Sequence, residues 1–302
     1  TAEAEIEKEK LNVDMYALNS RVNDLYFGIL LLDEQLKQNA LLQDELERNY
    51  RQITAYVENG IANQADLDAV KVEQLNTKQK RVELVSSRMA YLKMLSLLVG
   101  EKLSQETVLE KPVPQDDISA VGEIRRPELS LFNAQGVGLQ VQEKALNVRH
   151  LPQFGLFVQG AYGNPGLNML KNEFSPYYIA GVRLSWNFGS LYTLKNDRKV
   201  IENKRRQLDN NRDVFLFNTR LEMTQQDQAI QSLEKQMQDD DEIIRLRTNI
   251  RKSAEAKVAN GTLTVTEMLR ELTNESLARQ SKALHEIQRL MGIYQLKYTT
   301  ND

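Results

Sequence analysis

The chain contains no cysteine, which removes disulfide and thiolate chemistry and leaves the redox compartment unread. It holds two histidines, His150 and His285, and neither sits in a cluster of ligands at metal-binding spacing. A structural or solvated role is expected for both. No catalytic constellation is found, and no cofactor or metal is implied. No apolar run approaches the ~20 residues of a membrane helix. Neither sign of charge dominates: 39 Lys and Arg stand against 42 Asp and Glu, a net charge of −3. That balance gives no basic footprint for nucleic acid. No leader segment is present, but Thr1 to Lys10 already reads as helix. The chain is therefore expected to start inside an element, and the missing leader is uninformative.

What is present is long helical pattern. Leu11, Met15, Leu18, Val22, Leu25, Ile29, Leu32 and Leu36 alternate spacings of four and three. The register continues through Asn39, Gln43, Leu46, Tyr50, Ile53 and Val57. This is a heptad seam that packs by knobs into holes, with Asn39 and Gln43 as a register device or a wet stretch. From about residue 5 to 59 the helix would span roughly 80 Å. A charged fraction of 27% fits extended helices better than two ordinary globular domains. The segment alone also fits a simple soluble coiled coil.

A turn-and-helix unit occurs twice. Val57-Glu58-Asn59-Gly60-Ile61 leads to Asp66-Leu67, and Val258-Ala259-Asn260-Gly261-Thr262 leads to Glu267-Met268. Asn-Gly supplies the positive φ that stops a helix. The separation, about 200 residues, is far beyond a solenoid period and points to a duplicated helical hairpin. Asp66 and Glu267 both fall six residues after the glycine, where an acid favours a helix N-terminus by about 0.3–1 kcal/mol.

Between the hairpins the pattern changes. Helix is expected from about Ala65 to Val99, closed by Gly100. The stretch 101–125, with Pro112, Pro114, Asp116-Asp117 and Gly122, reads as a connector. A helix opens at Arg126-Pro127-Glu128-Leu129 and ends near His150. Alternation then takes over. Phe154, Leu156, Val158, Gly160 and Tyr162 share one face of a first strand. Tyr178, Ala180, Val182, Leu184, Trp186 and Phe188 share one face of a second, with Arg183 on its opposite face. Each strand has about the ~10 residues a tilted membrane strand requires. A soluble hairpin packed on a helix is the competing reading. Helix is expected again from Gly189 to Asn260 and from Thr266 to Lys297. Its seam is interrupted at Gln226, Asp240, Arg247 and Arg251. The run Asp239-Asp240-Asp241-Glu242 reads as a solvated face, because an EF-hand's loop glycine is absent. Gly160, Gly163 and Gly166 follow a strand without opening a helix, so they form no phosphate loop.

The order helix, strand hairpin, long helix, Asn-Gly turn, long helix resembles the TolC family of outer-membrane efflux proteins. The residues that carry the resemblance are Arg126-Pro127-Glu128-Leu129, Leu151-Pro152, Leu184-Ser185-Trp186-Asn187-Phe188-Gly189 and the two turns. The resemblance implies a mainly α fold, with long antiparallel coiled-coil hairpins in two repeats and a transmembrane-type β-hairpin. Residues 1–100 would be the helical hairpin of a first repeat that lacks its first helix and strand hairpin. Residues 101–125 would connect the repeats. Residues 126–302 would be a complete second repeat, with β-hairpin 154–188 and tip turn 258–266.

The function implied is a passive conduit, not an enzyme. It would be the trimeric outer-membrane channel of a tripartite efflux or type I export system in a Gram-negative bacterium, with a tunnel in the periplasm. Partners implied are two more copies of the chain, a periplasmic adaptor (membrane fusion protein), an inner-membrane pump and outer-membrane lipid. The turns Asn59, Gly60 and Ile61, and Asn260, Gly261 and Thr262, would dock the adaptor. Glu267 and Asp66 would lie at the periplasmic entrance. Where the family places a second entrance acid, this sequence has Arg270. Arg183 would face the lumen. Opening would untwist the coiled coils, eased by polar seam positions such as Asp240 and Arg247. A periplasmic coiled-coil adaptor or structural binding protein is the alternative reading.

Overall fold

A computed structural model describes residues 1–113, 123–149, 151–164, 166–170 and 172–301, with backbone alone at 190 and 191. Pro114, Asp116, Asp117, Gly122, His150 and Pro165 therefore lie outside the described residues. The elements follow the order α1 (Ala2–Glu58), α2 (Gln64–Val99), α3 (Pro127–Arg149), β1 (Gln153–Gly163), β2 (Ser175–Ser185), α4 (Gly189–Ala259) and α5 (Val265–Thr300). Each boundary lies within a few residues of the one read from the pattern. Among the described residues no helix is long and apolar enough to cross a membrane.

The chain divides into two compact units. One comprises residues 1–11 and 127–215. Its strands are antiparallel, with Phe154 opposite Leu184, Leu156 opposite Val182 and Val158 opposite Ala180. The two apolar faces read from the alternation thus fall on the same side of one sheet. The second strand stops at Ser185, three residues short of the expected Phe188. Ser185 pairs with Gln153, so a further partner for Trp186 would be Pro152. Proline has no N–H to extend the ladder. Trp186 and Phe188 instead place their rings 4.3 Å apart beyond the strand end. In the same unit α3 packs on α4 through Phe132 and Phe215 (ring centroids 5.9 Å apart) and an Arg205–Glu143 ion pair of 2.8 Å.

The other unit comprises residues 12–126 and 216–302. The seam of α1 is buried where expected at Leu25 and Ile29, which meet Leu92 and Leu95 of α2. Asn39, also buried, donates from Nδ2 to the Thr77 carbonyl at 3.1 Å. Off the seam, Phe27 and Leu30 are equally buried against Ile287 and Leu290 of α5. Helix α1 therefore carries two apolar faces, one toward each neighbour, and a single heptad stripe described only one of them.

The first part of the connector is held by side chains of the hairpin it leaves. Arg88, 8% exposed, pairs with Asp33 and donates to the carbonyls of Gln105 and Thr107, both at 2.7 Å. Tyr26 donates to the Glu110 carbonyl at 2.5 Å, and Lys111 meets Glu286 of α5 at 2.7 Å. At the other end of the connector, the Arg125 N–H donates to the Thr300 carbonyl and Asn301 Nδ2 donates to the Arg125 carbonyl, both at 2.8 Å. Asn301 closes α5 in the left-handed region, at φ 60°. The Arg126 guanidinium lies over the stacked rings of Tyr16 and Tyr298, 5.6 and 5.2 Å from their centroids. A cation over an aromatic face is attracted by the ring quadrupole.

Candidate functional site

The two turns adopt one geometry. Gly60 and Gly261 have φ of 72° and 69°. The Gly60 N–H donates to Val57 O at 3.1 Å and Ile61 N–H to Tyr56 O at 2.8 Å. In the second turn Gly261 N–H donates to Val258 O and Thr262 N–H to Lys257 O, both at 2.9 Å. This is the Schellman pattern that satisfies the last carbonyls of a helix. Asn59 and Asn260 each return a side-chain N–H to the carbonyl four residues back, at 2.7 and 2.8 Å. Nothing lies within 4 Å of where a side chain on Gly60 or Gly261 would begin. The glycines are required by the backbone angle and not by crowding.

The helices that follow are closed by capping boxes. Asn63 Oδ1 accepts from Asp66 N–H at 3.0 Å, and Asp66 accepts from Asn63 N–H at 3.1 Å. Thr264 Oγ1 accepts from Glu267 N–H at 3.2 Å. Glu267 in turn accepts from Thr264 N–H at 3.2 Å and its hydroxyl at 2.8 Å. The two acids read as equivalent from their spacing are thus equivalent in structure, each at the third position of a box. The Thr264 hydroxyl and N–H bonds, with a smaller contribution from Arg270, hold the Glu267 carboxyl below the ordinary carboxylate range. Arg270 makes its ion pair with Glu271, at 3.6 Å, and its side chain is largely exposed.

Beneath the turns the two hairpins share one core. Leu46 and Ile53 of α1, Val70 of α2, Ala254 and Val258 of α4, and Val265, Met268, Leu269 and Leu272 of α5 form a single buried cluster. The turn residues Asn59, Gly60, Ile61, Asn260, Gly261 and Thr262 are exposed at its end. The tips are therefore one surface built on a four-helix floor.

Above this core the seam becomes charged. Arg251 of α4 lies 2.5 Å from Glu275 of α5, pairs with Glu255, and approaches Glu45 of α1 at 3.8 Å. Glu275, whose side chain is 3% exposed, also accepts from Thr248 at 2.7 Å and pairs with Arg279 at 2.6 Å. Burial pushes the Glu275 carboxyl up, but the bonds from Arg279, Thr248 and Arg251 outweigh it and leave the pKa lowered. Burial likewise opposes the charge on Arg251, and Glu275, Glu45 and Glu255 reverse it. A cleft of about 220 Å³, lined by Glu45, Arg48, Glu275 and Arg279, opens beside the cluster. Farther along the seam, buried Asp240 meets His285 Nδ1 at 2.9 Å. This corrects the solvated reading of the acidic run at Asp240, while its neighbour Asp241 is exposed and pairs with Lys282 at 2.5 Å. The sequence marked Asp240, Arg247 and Arg251 as breaks in the seam. It gave no sign of Glu275 or of the partners that turn those breaks into contacts.

Arg183 and Phe157 lie on the other side of the sheet from Val182 and Leu184, with the guanidinium 5.4 Å from the Phe157 ring centroid. Among the described residues no group of three or more His, Asp or Glu is arranged to hold a metal ion.

No family model matches the chain, and no curated protein matches it. Solved structures do. The outer membrane protein VceC of Vibrio cholerae superposes with a TM-score of 0.79 at 12% identity, over 99% of this chain and 72% of that one. The outer-membrane channel OprN gives 0.75 at 12% identity, over 99% and 69%. The CmeC outer membrane channel of Campylobacter jejuni gives 0.72 at 13% identity, over 98% and 66%. The chain has the mainly helical fold of these outer-membrane channel proteins.

Proposed function

We propose that the chain is part of the outer-membrane channel of a tripartite efflux or type I export system, acting as a passive trimeric conduit for small molecules or proteins. The β-hairpin carries this reading. Leu156, Val158, Val182 and Leu184 share one side of the sheet and are 86%, 77%, 67% and 59% exposed. Four large apolar side chains on one solvent-facing sheet are costly in water. A two-stranded hairpin is also marginal by itself. Lipid on that side, and strands of further copies at both edges, resolve both problems. Arg183 then falls on the lumen side. The paired tips, with their shared apolar floor and exposed turns, suit docking of a periplasmic adaptor. Two helical hairpins flanking a strand pair in the chain order support the channel over an adaptor, which carries one such hairpin.

The test is cysteine labelling of the membrane-inserted full-length protein. Position 182 is expected to react with a lipid-phase reagent and position 183 with an aqueous one. The reverse pattern would overturn the assignment, since Arg183 on the lipid side costs about 2–4 kcal/mol at the midplane.

A further inference from the structure

The stretch that leads from the hairpin into α4 combines two features that its helix packing does not use. Trp186 and Phe188 close the base of the hairpin, 45% and 62% exposed. Tyr192, in the first turns of α4, is 92% exposed. Lys195 and Lys199 follow on the same stripe of the helix, at spacings of three and four, and both are exposed. Other cations nearby are engaged: Arg198 donates to Asn147 at 2.8 Å, Arg205 pairs with Glu143 and Arg206 with Glu202. Among the described residues Lys195 and Lys199 have no carboxylate at ion-pairing distance. Arg198, Arg205 and Phe215 place α3 on one side of α4. Tyr192, Lys195 and Lys199 lie on the side away from it.

We infer that this stripe is a collar for anionic phospholipid, binding headgroup phosphates of the membrane leaflet at the base of the hairpin. The inference rests on the reading that the hairpin sits in lipid. Its geometry follows from that reading. The apolar stretch from Phe154 to Tyr162 lies within β1 and reaches the lower end of the about 9–11 residues that a tilted membrane strand requires. Aromatic rings bound it at both ends: Trp186 and Phe188 at the base, and Tyr162 with Phe174, 5.7 Å apart, at the tip. Such rings settle at the level of the headgroups. Lys195 lies seven residues into the chain beyond Phe188, about 10 Å of helical rise. Side chains on a helix lean toward its N-terminus, which for α4 is the hairpin end. The lysine stems therefore carry their ammonium groups back toward the membrane, within reach of headgroup phosphates. The outward stripe holds Tyr192 and both lysines before its first acid, Glu202, which is bound to Arg206 at 2.6 Å.

The experiment uses the full-length protein reconstituted in vesicles of phosphatidylethanolamine alone or mixed with phosphatidylglycerol. Retention of phosphatidylglycerol by the purified trimer, measured by mass spectrometry, is the direct readout. The wild type is expected to retain phosphatidylglycerol over phosphatidylethanolamine. Lys195→Gln and Lys199→Gln should each lower that preference about fivefold, the effect of one basic residue at an anionic surface. High salt should weaken the preference of the wild type. Tyr192→Leu serves as a variant that leaves the charge in place, and it should lower retention of both lipids without changing their ratio. An unchanged ratio in the double lysine variant would overturn the inference. So would an altered ion selectivity in bilayer recordings with the lipid ratio unchanged, because the lysines would then face the lumen. Failure of the protein to integrate in either vesicle would instead refute the membrane reading of the hairpin.

Discussion

Arg251 Nε and Glu275 Oε2 lie 2.5 Å apart and join α4 to α5 at the level where the apolar seam gives way to charge. Glu275 is almost wholly enclosed, and Arg251 is 13% exposed. Taking two charges out of water is costly, and only the additional bonds from Thr248, Arg279 and Glu255 make the arrangement tolerable. Removing one member leaves the other buried and uncompensated. Glu275→Ala should therefore lower the unfolding free energy by about 3 kcal/mol or more. Arg251→Leu combined with Glu275→Leu should cost clearly less than the sum of the two single changes. Thermal or urea unfolding of the four proteins would measure this. Additive losses would mean that the two side chains act independently.

The same carboxylate sets a pH dependence. Its pKa is lowered in the folded chain, whereas an unfolded glutamate titrates near 4.3. Its contribution is present above that unfolded value and is lost as pH falls through the folded one. The wild type should thus lose stability as the medium is acidified below about pH 4. Glu275→Gln, already weaker at neutral pH, should show a shallower decline over the same window. Parallel curves would remove Glu275 as a contributor to acid sensitivity.

Gly60 and Gly261 give a different kind of prediction, since open space surrounds both. A valine at either position is expected to cost roughly 1–3 kcal/mol through backbone strain alone. Asparagine, which tolerates the left-handed region, should cost much less. If the tips dock an adaptor, Gly60→Val and Gly261→Val should also impair export more than substitutions at neighbouring turn positions. Drug susceptibility with expression checked would show it. Wild-type resistance in the double valine variant would remove tip docking from the proposed function.

Arg88 fastens the connector through two carbonyls, so its loss should be felt there first. Arg88→Met keeps much of the stem but leaves Asp33 and the carbonyls of Gln105 and Thr107 without their donor. The segment from 101 to 113 should then become a preferred site of limited proteolysis. Arg88→Lys should rescue only in part, because one ammonium replaces a planar fork that reaches three acceptors. An unchanged digestion pattern would mean that Lys111 and Tyr26 hold the connector without Arg88.

What was legible in the sequence divides along physical lines. The helices, the two Asn-Gly stops and the strand faces are local features, fixed by periodicity and by the φ that glycine permits. Leu156 opposite Val182 follows from alternation and one register. The charged contacts are not local. Glu275 reads as one more polar residue on a charged helix, and its partners stand on other turns or other helices: Thr248 and Arg251 on α4, Glu45 through Arg251 on α1. Arg88 looks like surface, although the carbonyls it binds lie in an irregular segment that no pattern positions. Asp240 reads as part of a solvated face because three acids adjoin it, and only the packing of α5 brings it to His285. The early end of β2 has a local cause that was visible, Pro152, but its effect depends on the register that places Trp186 across from it.

Glu267 carries the last prediction because two roles meet on one carboxylate. It caps α5 through Thr264, and it stands where the resemblance places an entrance acid. Glu267→Lys would change both, so Glu267→Gln is the informative variant: it removes the charge while retaining an acceptor for the Thr264 N–H. If the acid lines the entrance, Glu267→Gln should lower cation selectivity of the complete trimer in bilayer recordings, and Glu267→Lys should lower it further. A ring of side chains at a constriction sets selectivity by charge, and the lysine shifts it by about six units, two in each of three protomers. The bonds from Thr264 hold the carboxyl ionised below the usual range. Selectivity should therefore persist as pH falls through about 4 and fade only at lower pH. Thr264→Ala should move that fading to higher pH and destabilise α5 by about 1 kcal/mol. Arg270, paired with Glu271 and not bound to Glu267, should raise selectivity when changed to alanine only if it too faces the opening. Unchanged reversal potentials in Glu267→Gln, with stability reduced, would leave Glu267 as a helix cap and nothing more.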